Sequence, residues 1–136
     1  VILLIHGWTG DENSMWIFTR ALPSDAWILA PRAPYPERER GGYSWRNRAP
    51  GVHGFPSFEE LRPSAEALLD FVDAWRRENA LPDLPFGVAG FSQGAAMVHT
   101  LIAIAPKRLR RAAALSGFVP EGAAGAIPPL EALPYF

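Results

Sequence analysis

The chain has 136 residues, 13 basic against 14 acidic side chains and a formal net charge of −1, with 49% apolar and 12% aromatic residues. That length allows one domain at most, apolar enough to bury a core, and the near-neutral charge argues against a nucleic-acid binder, whose domain is usually strongly basic. With no cysteine, disulfide scaffolds, thiolate zinc sites, iron–sulfur clusters and cysteine nucleophiles are excluded together. No stretch approaches the roughly 20 apolar residues of a membrane-spanning helix, and no charged segment leads into a cleavage site. A soluble domain is expected, assigned to the cytoplasm. Val1 opens directly on an apolar run and Leu133–Phe136 begins another, so both ends read as cut inside structural elements and the chain as a piece of a longer one.

In chain order, Val1–Ile5 is a continuous apolar run ending at His6-Gly7, the pattern of a strand buried on both faces of a parallel sheet. Asn13–Leu22 places Trp16, Ile17, Arg20 and Ala21 at helical spacing, with Asn13 or Ser14 as N-cap and Pro23 as the stop. Trp27–Ala30 reads as a second buried strand. Residues 31–57 carry too many prolines and glycines for a regular element and are predicted to form a long, site-shaping loop. Ser57-Phe58-Glu59-Glu60 has capping-box form, but Pro63 disfavours helical geometry at Arg62, so a short turn and then a helix over Pro63–Asn79 are expected. Its apolar stripe is Ala65, Leu68, Val72 and Trp75, with Leu61 in line, opposite a solvated face of Glu66, Asp70, Asp73 and Arg77. Phe86–Phe91 is the third strand, Gln93–Ala105 a helix and Ala112–Leu115 a fourth strand. Such alternation implies an α/β fold: a mostly parallel sheet with right-handed crossovers, helices on both faces and its site at the carboxyl ends of the strands.

The chemistry-bearing motif is Gly90-Phe91-Ser92-Gln93-Gly94, a G-x-S-x-G sequence with a buried strand before it and an apolar helix after it. A tight strand-to-helix turn strains the serine and exposes its hydroxyl, and Gly90 and Gly94 let neighbouring backbone approach. The helix N-terminus supplies free N–H groups and partial positive charge for an oxyanion, with Gln93 N–H as one donor. The loop after the first strand, His6-Gly7-Trp8-Thr9-Gly10, is assigned the second donor, the Trp8 N–H.

Together with Ala30-Pro31-Arg32-Ala33-Pro34 and Gly41-Gly42-Tyr43-Ser44-Trp45, these motifs resemble the phospholipase/carboxylesterase family of α/β-hydrolases, relatives of acyl-protein thioesterases, over essentially the whole chain. The resemblance implies a Ser–Asp–His triad that cleaves carboxylic esters or thioesters without a cofactor, Ser92 being the nucleophile. It also implies that the acid and the histidine follow Phe136, so this fragment alone should be nearly inactive. His99 lies seven residues after Ser92, about 10 Å along the helix axis, and cannot serve as the base. His6 is expected to brace the turn, His53 to lie on the surface, and Glu121 is a weak candidate for the acid. The alternative is a non-catalytic binding or scaffold module that kept the turn and lost the triad.

Tyr43, Trp45, Trp8 and Phe91 could wall a substrate pocket, the competing reading being that the aromatics pack the long loop onto the sheet, as expected for Trp16. Arg32, Arg38, Arg40, Arg46 and Arg48 read as a solvated basic loop, and Lys107, Arg108, Arg110 and Arg111 as complements to a helix C-terminus. Asp11, Glu12 and Asp83 form no metal-ligand spacing with any histidine, so no metal site is predicted.

Overall fold

The computed structural model describes residues 1–49, 51–52 and 54–129. In chain order the elements are β1 (Ile2–Ile5), a 3-10 helix at Trp16–Ala21, β2 (Ile28–Leu29), β3 (Tyr35–Pro36), β4 (Tyr43–Ser44), α1 (Phe58–Glu78), β5 (Phe86–Phe91), α2 (Gln93–Ile104), a 3-10 turn at Pro106–Arg108 and β6 (Leu109–Leu115). Strands β2-β1-β5-β6 form one parallel sheet in that order. Leu3, Leu4 and Ile5 are all buried, which is why β1 carries an unbroken apolar run rather than an alternating one.

The order of the strands fixes where a site can form. From β1 the chain moves outward to β2, then returns past β1 to β5 and continues to β6. Right-handed crossovers place the first connection on one face and both α1 and α2 on the other. The two long helices indeed pack against each other. The core joins Leu3, Ile5 and Val88 of the sheet to Leu61, Leu68 and Val72 of α1 and to Met97 and Leu101 of α2. Between β1 and β5 the connections diverge to opposite faces, leaving a crevice at the carboxyl ends of these two strands.

Five expectations are corrected. No α-helix forms over Asn13–Leu22, because its capping side chains are used locally: Asp11 accepts from the Asn13 N–H and the Ser14 hydroxyl, and Ser14 Oγ accepts from the Asp11 N–H. What remains is the 3-10 helix, which buries no residue and so has no apolar face to hold a longer helix. Trp16 stays half-exposed rather than packing the loop down. Helix α1 starts at Phe58 and runs through Pro63, since both halves of the Ser57/Glu60 capping box form and the Phe58 N–H donates to Glu121 O at 2.9 Å. Strand β6 begins at Leu109, so Arg110 and Arg111 are strand residues, and Arg108 is ion-paired to Asp73 of α1. Within residues 31–57, β3 and β4 form a two-stranded antiparallel hairpin.

Candidate active site

Ser92 joins β5 to α2 with φ 55° and ψ −114°, a backbone state that a non-glycine residue holds only when its surroundings enforce it. The Ser92 N–H donates to Leu115 O of β6 at 2.9 Å. On the other side the turn is pressed into the sheet: a Cβ at Gly90 would stand 2.1 Å from Gly94 O, and one at Gly94 would stand 2.1 Å from Ile5 O. Glycine is required at both places by contact with backbone, which cannot give way. Although Ser92 occupies the N-cap position of α2, its side chain makes no capping bond, so the hydroxyl is not consumed by the helix.

The end of β1 faces this turn. The buried His6 accepts at Nε2 from the Ala33 N–H at 3.0 Å, which makes Nδ1 the donor to Gly7 O at 2.7 Å. Burial pushes the His6 pKa below its ordinary value, opposed by the bond to Gly7 O and by Asp11 and Glu12. Thr9 N–H donates to Tyr43 O and Tyr43 N–H to Gly10 O, each at 3.0 Å, tying the loop after β1 to β4. Among the described residues, neither the Trp8 nor the Gln93 backbone N–H has an acceptor.

Trp8, Ser92 and Gln93 share the lining of a cavity of about 230 Å³, whose apolar walls include Phe55 and Phe118. The rings of Phe55 and Phe118 lie 4.5 Å apart by centroid. Arg46 and Arg48 also line it, and here the solvated-loop expectation is corrected. Arg46 is buried and bonds Glu60 and Gly54 O, while Arg48 pairs with Glu37 and Glu39. Arg48 meets a buried carboxylate in Glu37, whereas the partners Glu60 and Glu39 remain partly exposed.

The other aromatic candidates lie elsewhere. Trp45 is only 1% exposed and is outside this lining; its Nε1 donates to His6 O at 2.8 Å, and its ring lies 5.0 Å from that of His6. Tyr43 is half-buried, with its hydroxyl accepting from Arg32. Phe91 is 42% exposed and lines a second cavity of about 300 Å³ with Gly7, Trp8 and Phe18. His99 is buried on α2 with its pKa lowered by that burial. Glu121 is exposed and contributes its carbonyl to the start of α1. His53 lies outside the described residues.

The sequence did not single out the Gln93 side chain, Glu37, Phe55 or Phe118 as parts of this region. Gln93 Oε1 accepts from the Trp45 N–H at 2.9 Å and its Nε2 donates to Ser44 Oγ at 3.2 Å, fastening β4 to the start of α2. No local period announces contacts across 48 or 49 positions; a polar residue at the first turn of an otherwise apolar helix was the available signal.

A family model described as Phospholipase/Carboxylesterase matches residues 1–126. Among solved structures, a carboxylesterase from Bacillus cereus superposes with a TM-score of 0.74 at 24% identity, covering 90% of this chain and 56% of that one. A carboxylesterase from Mesorhizobium loti gives 0.71 at 23% identity, covering 89% and 56%. Arabidopsis thaliana SOBER1 gives 0.71 at 22% identity, covering 98% and 71%. The chain thus spans little more than half the length of the two carboxylesterases. No curated protein matches it.

Proposed function

The chain belongs to the phospholipase/carboxylesterase family, and we propose that it carries the nucleophile and oxyanion donors of a serine hydrolase acting on carboxylic esters or thioesters. One observation carries the reading: a serine held at positive φ, its hydroxyl unused by the helix it caps, lines one cavity with two residues whose backbone N–H groups have no acceptor among the described residues. Such strain and such unpaired donors cost stability and are kept where they act.

In this reading Ser92 Oγ attacks the acyl carbon and its proton passes to a histidine base. The carbonyl oxygen takes the negative charge and receives hydrogen bonds from the Trp8 and Gln93 amides, each donor being worth on the order of 10²–10³ in turnover. The intermediate collapses with loss of the alcohol or thiol, which takes the proton from the histidine, and water then releases the acid from Ser92. His6 is not that base, since both its ring nitrogens are engaged in holding the loop, and His99 is committed to the buried side of α2. We assign the acid and the histidine to positions beyond Phe136. The small cavity with Phe55 and Phe118 in its wall suits an apolar acyl or alcohol group.

The test is p-nitrophenyl ester hydrolysis and fluorophosphonate labelling of the whole gene product. Ser92→Ala is expected to abolish labelling and to reduce kcat on the order of 10⁴-fold or more. Full activity or undiminished labelling in Ser92→Ala would overturn the assignment.

A further inference from the structure

Trp8 presents its backbone N–H to the oxyanion in the reading above, and its indole is gripped separately. Nε1 donates to Glu37 Oε2 at 2.7 Å. Glu37 follows the first strand of the β3–β4 hairpin and is 7% exposed, so this charge-assisted bond is shielded from water. The carboxylate is itself held: Arg48 reaches its two oxygens at 3.1 and 3.2 Å, and the Glu39 N–H donates to Oε1 at 3.2 Å. Arg48 and Arg40 also stand 5.4 and 5.1 Å from the centroid of the Trp8 ring, within cation–π range.

The backbone explains what that grip controls. Thr9 and Gly10 are fixed to Tyr43 by two hydrogen bonds, and the carbonyl of the Gly7–Trp8 peptide accepts from His6 Nδ1 at 2.7 Å and from the Gly10 N–H at 3.0 Å. The peptide that carries the Trp8 N–H is thus held at its carbonyl from the β1 side, and the indole grip holds the same residue from the hairpin side. Resting on the assignment of Ser92 and the Trp8 amide, we infer that Glu37 is a positioning residue, which orients the Trp8 N–H toward the oxyanion by clamping the indole against Arg48.

A clamp of this kind changes the transition state more than the bound substrate, because an oxyanion exists only in the former. Glu37→Gln keeps an acceptor for the indole but loses the attraction to Arg48, and Trp8→Phe keeps an aromatic ring but removes the indole N–H with part of the ring. In the whole gene product each is expected to lower kcat about 10-fold with KM changed less than twofold, within the roughly 10²-fold that a misplacement near 1 Å can cost. The double variant should be no slower than Trp8→Phe, since both changes break one link. In ¹⁵N-tryptophan-labelled protein, the indole resonance lost in Trp8→Phe should lie downfield and exchange slowly with solvent, and should shift upfield and exchange faster in Glu37→Gln. If Glu37→Gln does not fold, Trp8→Phe carries the kinetic comparison and the indole resonance of the wild type carries the structural one. An inactive wild type, or a fully active Ser92→Ala, removes the catalytic reading and the role of Glu37 with it. With the wild type active and Ser92→Ala inactive, an unchanged kcat, an equal rise in KM or additive losses overturn the role of Glu37 alone.

Discussion

His6 has a single protonation state compatible with its contacts. Nε2 must accept from the Ala33 N–H while Nδ1 donates to Gly7 O; a second ring proton would set two N–H groups against each other in a buried place. The lowered folded pKa fixes the sign of the pH dependence. Below the unfolded value of about 6.5 the unfolded chain binds a proton that the folded one refuses. The stability contributed by His6 is thus complete above about pH 6.5 and is lost as pH falls toward the folded pKa. The buried His99 acts in the same direction. Thermal unfolding followed from pH 7.5 to 5 should show a falling midpoint, and His6→Asn should be less stable at pH 7.5 yet show a shallower fall. A wild-type midpoint that is flat over this range, or an equally steep fall in His6→Asn, contradicts the account. Ser92 and the loop after β1 stood out in the sequence because each sits in a short local pattern. The tautomer of His6 was not, because it is decided by Ala33, 27 positions away.

At the scale of elements, sequence and structure agree where one force dominates. Strand β5 falls on Phe86–Phe91 and α2 on Gln93–Ile104 as the apolar runs and the glycine-flanked turn dictate. They part where forces compete, as in α1. The cost of a proline inside a helix is set there against a complete capping box and a buried stripe of Leu61, Ala65, Leu68 and Val72. The cap and the stripe win, and Pro63 is carried as the sixth residue of the helix with no N–H to offer Glu59 O. Since Pro63 is exposed, replacing it disturbs no packing. Pro63→Ala should restore that bond and stabilise the fold by about 1–3 kcal/mol, read as a rise of several degrees in Tm. A lower Tm would mean that Pro63 serves the entry of the chain into α1 in a way its burial does not reveal. The two-residue strands β3 and β4 stayed hidden for a different reason: too short for any period, they are set by pairing with each other and with Gly10.

At the scale of the molecule, the site depends on one side chain that was read as a possible pocket wall. Trp45 meets three elements: its backbone N–H and carbonyl bond Gln93 of α2 and Ser64 of α1, while its side chain donates from Nε1 to His6 O at the end of β1 and packs its ring beside that of His6. The hairpin that carries Glu37 precedes it in sequence, and the lining residues Arg46, Arg48 and Phe55 follow it, so that part of the cavity wall hangs on this anchor. The parallel sheet, with a site at the carboxyl ends of its strands, could be read from the alternation of elements and the crossover rules, whereas the crevice between β1 and β5 follows from the spatial order of the strands. The anchor could not, because a tryptophan among prolines and glycines gives no sign of whether it turns inward. Trp45→Ala should cost about 3–5 kcal/mol, the usual loss for a large buried aromatic, a large share of the 5–15 kcal/mol that hold a domain together. Trp45→Phe keeps most of the packing and gives up the bond to His6 O, and should cost about 1–3 kcal/mol. The two differ in a second observable: in Trp45→Ala the segment from 37 to 56 should become the first site of cleavage in limited proteolysis under native conditions, whereas in Trp45→Phe it should stay protected. Equal protection in both variants would show that the salt bridges of Arg46 and Arg48 hold the hairpin without the anchor, and would move the organising contact of the site from the core to those ion pairs.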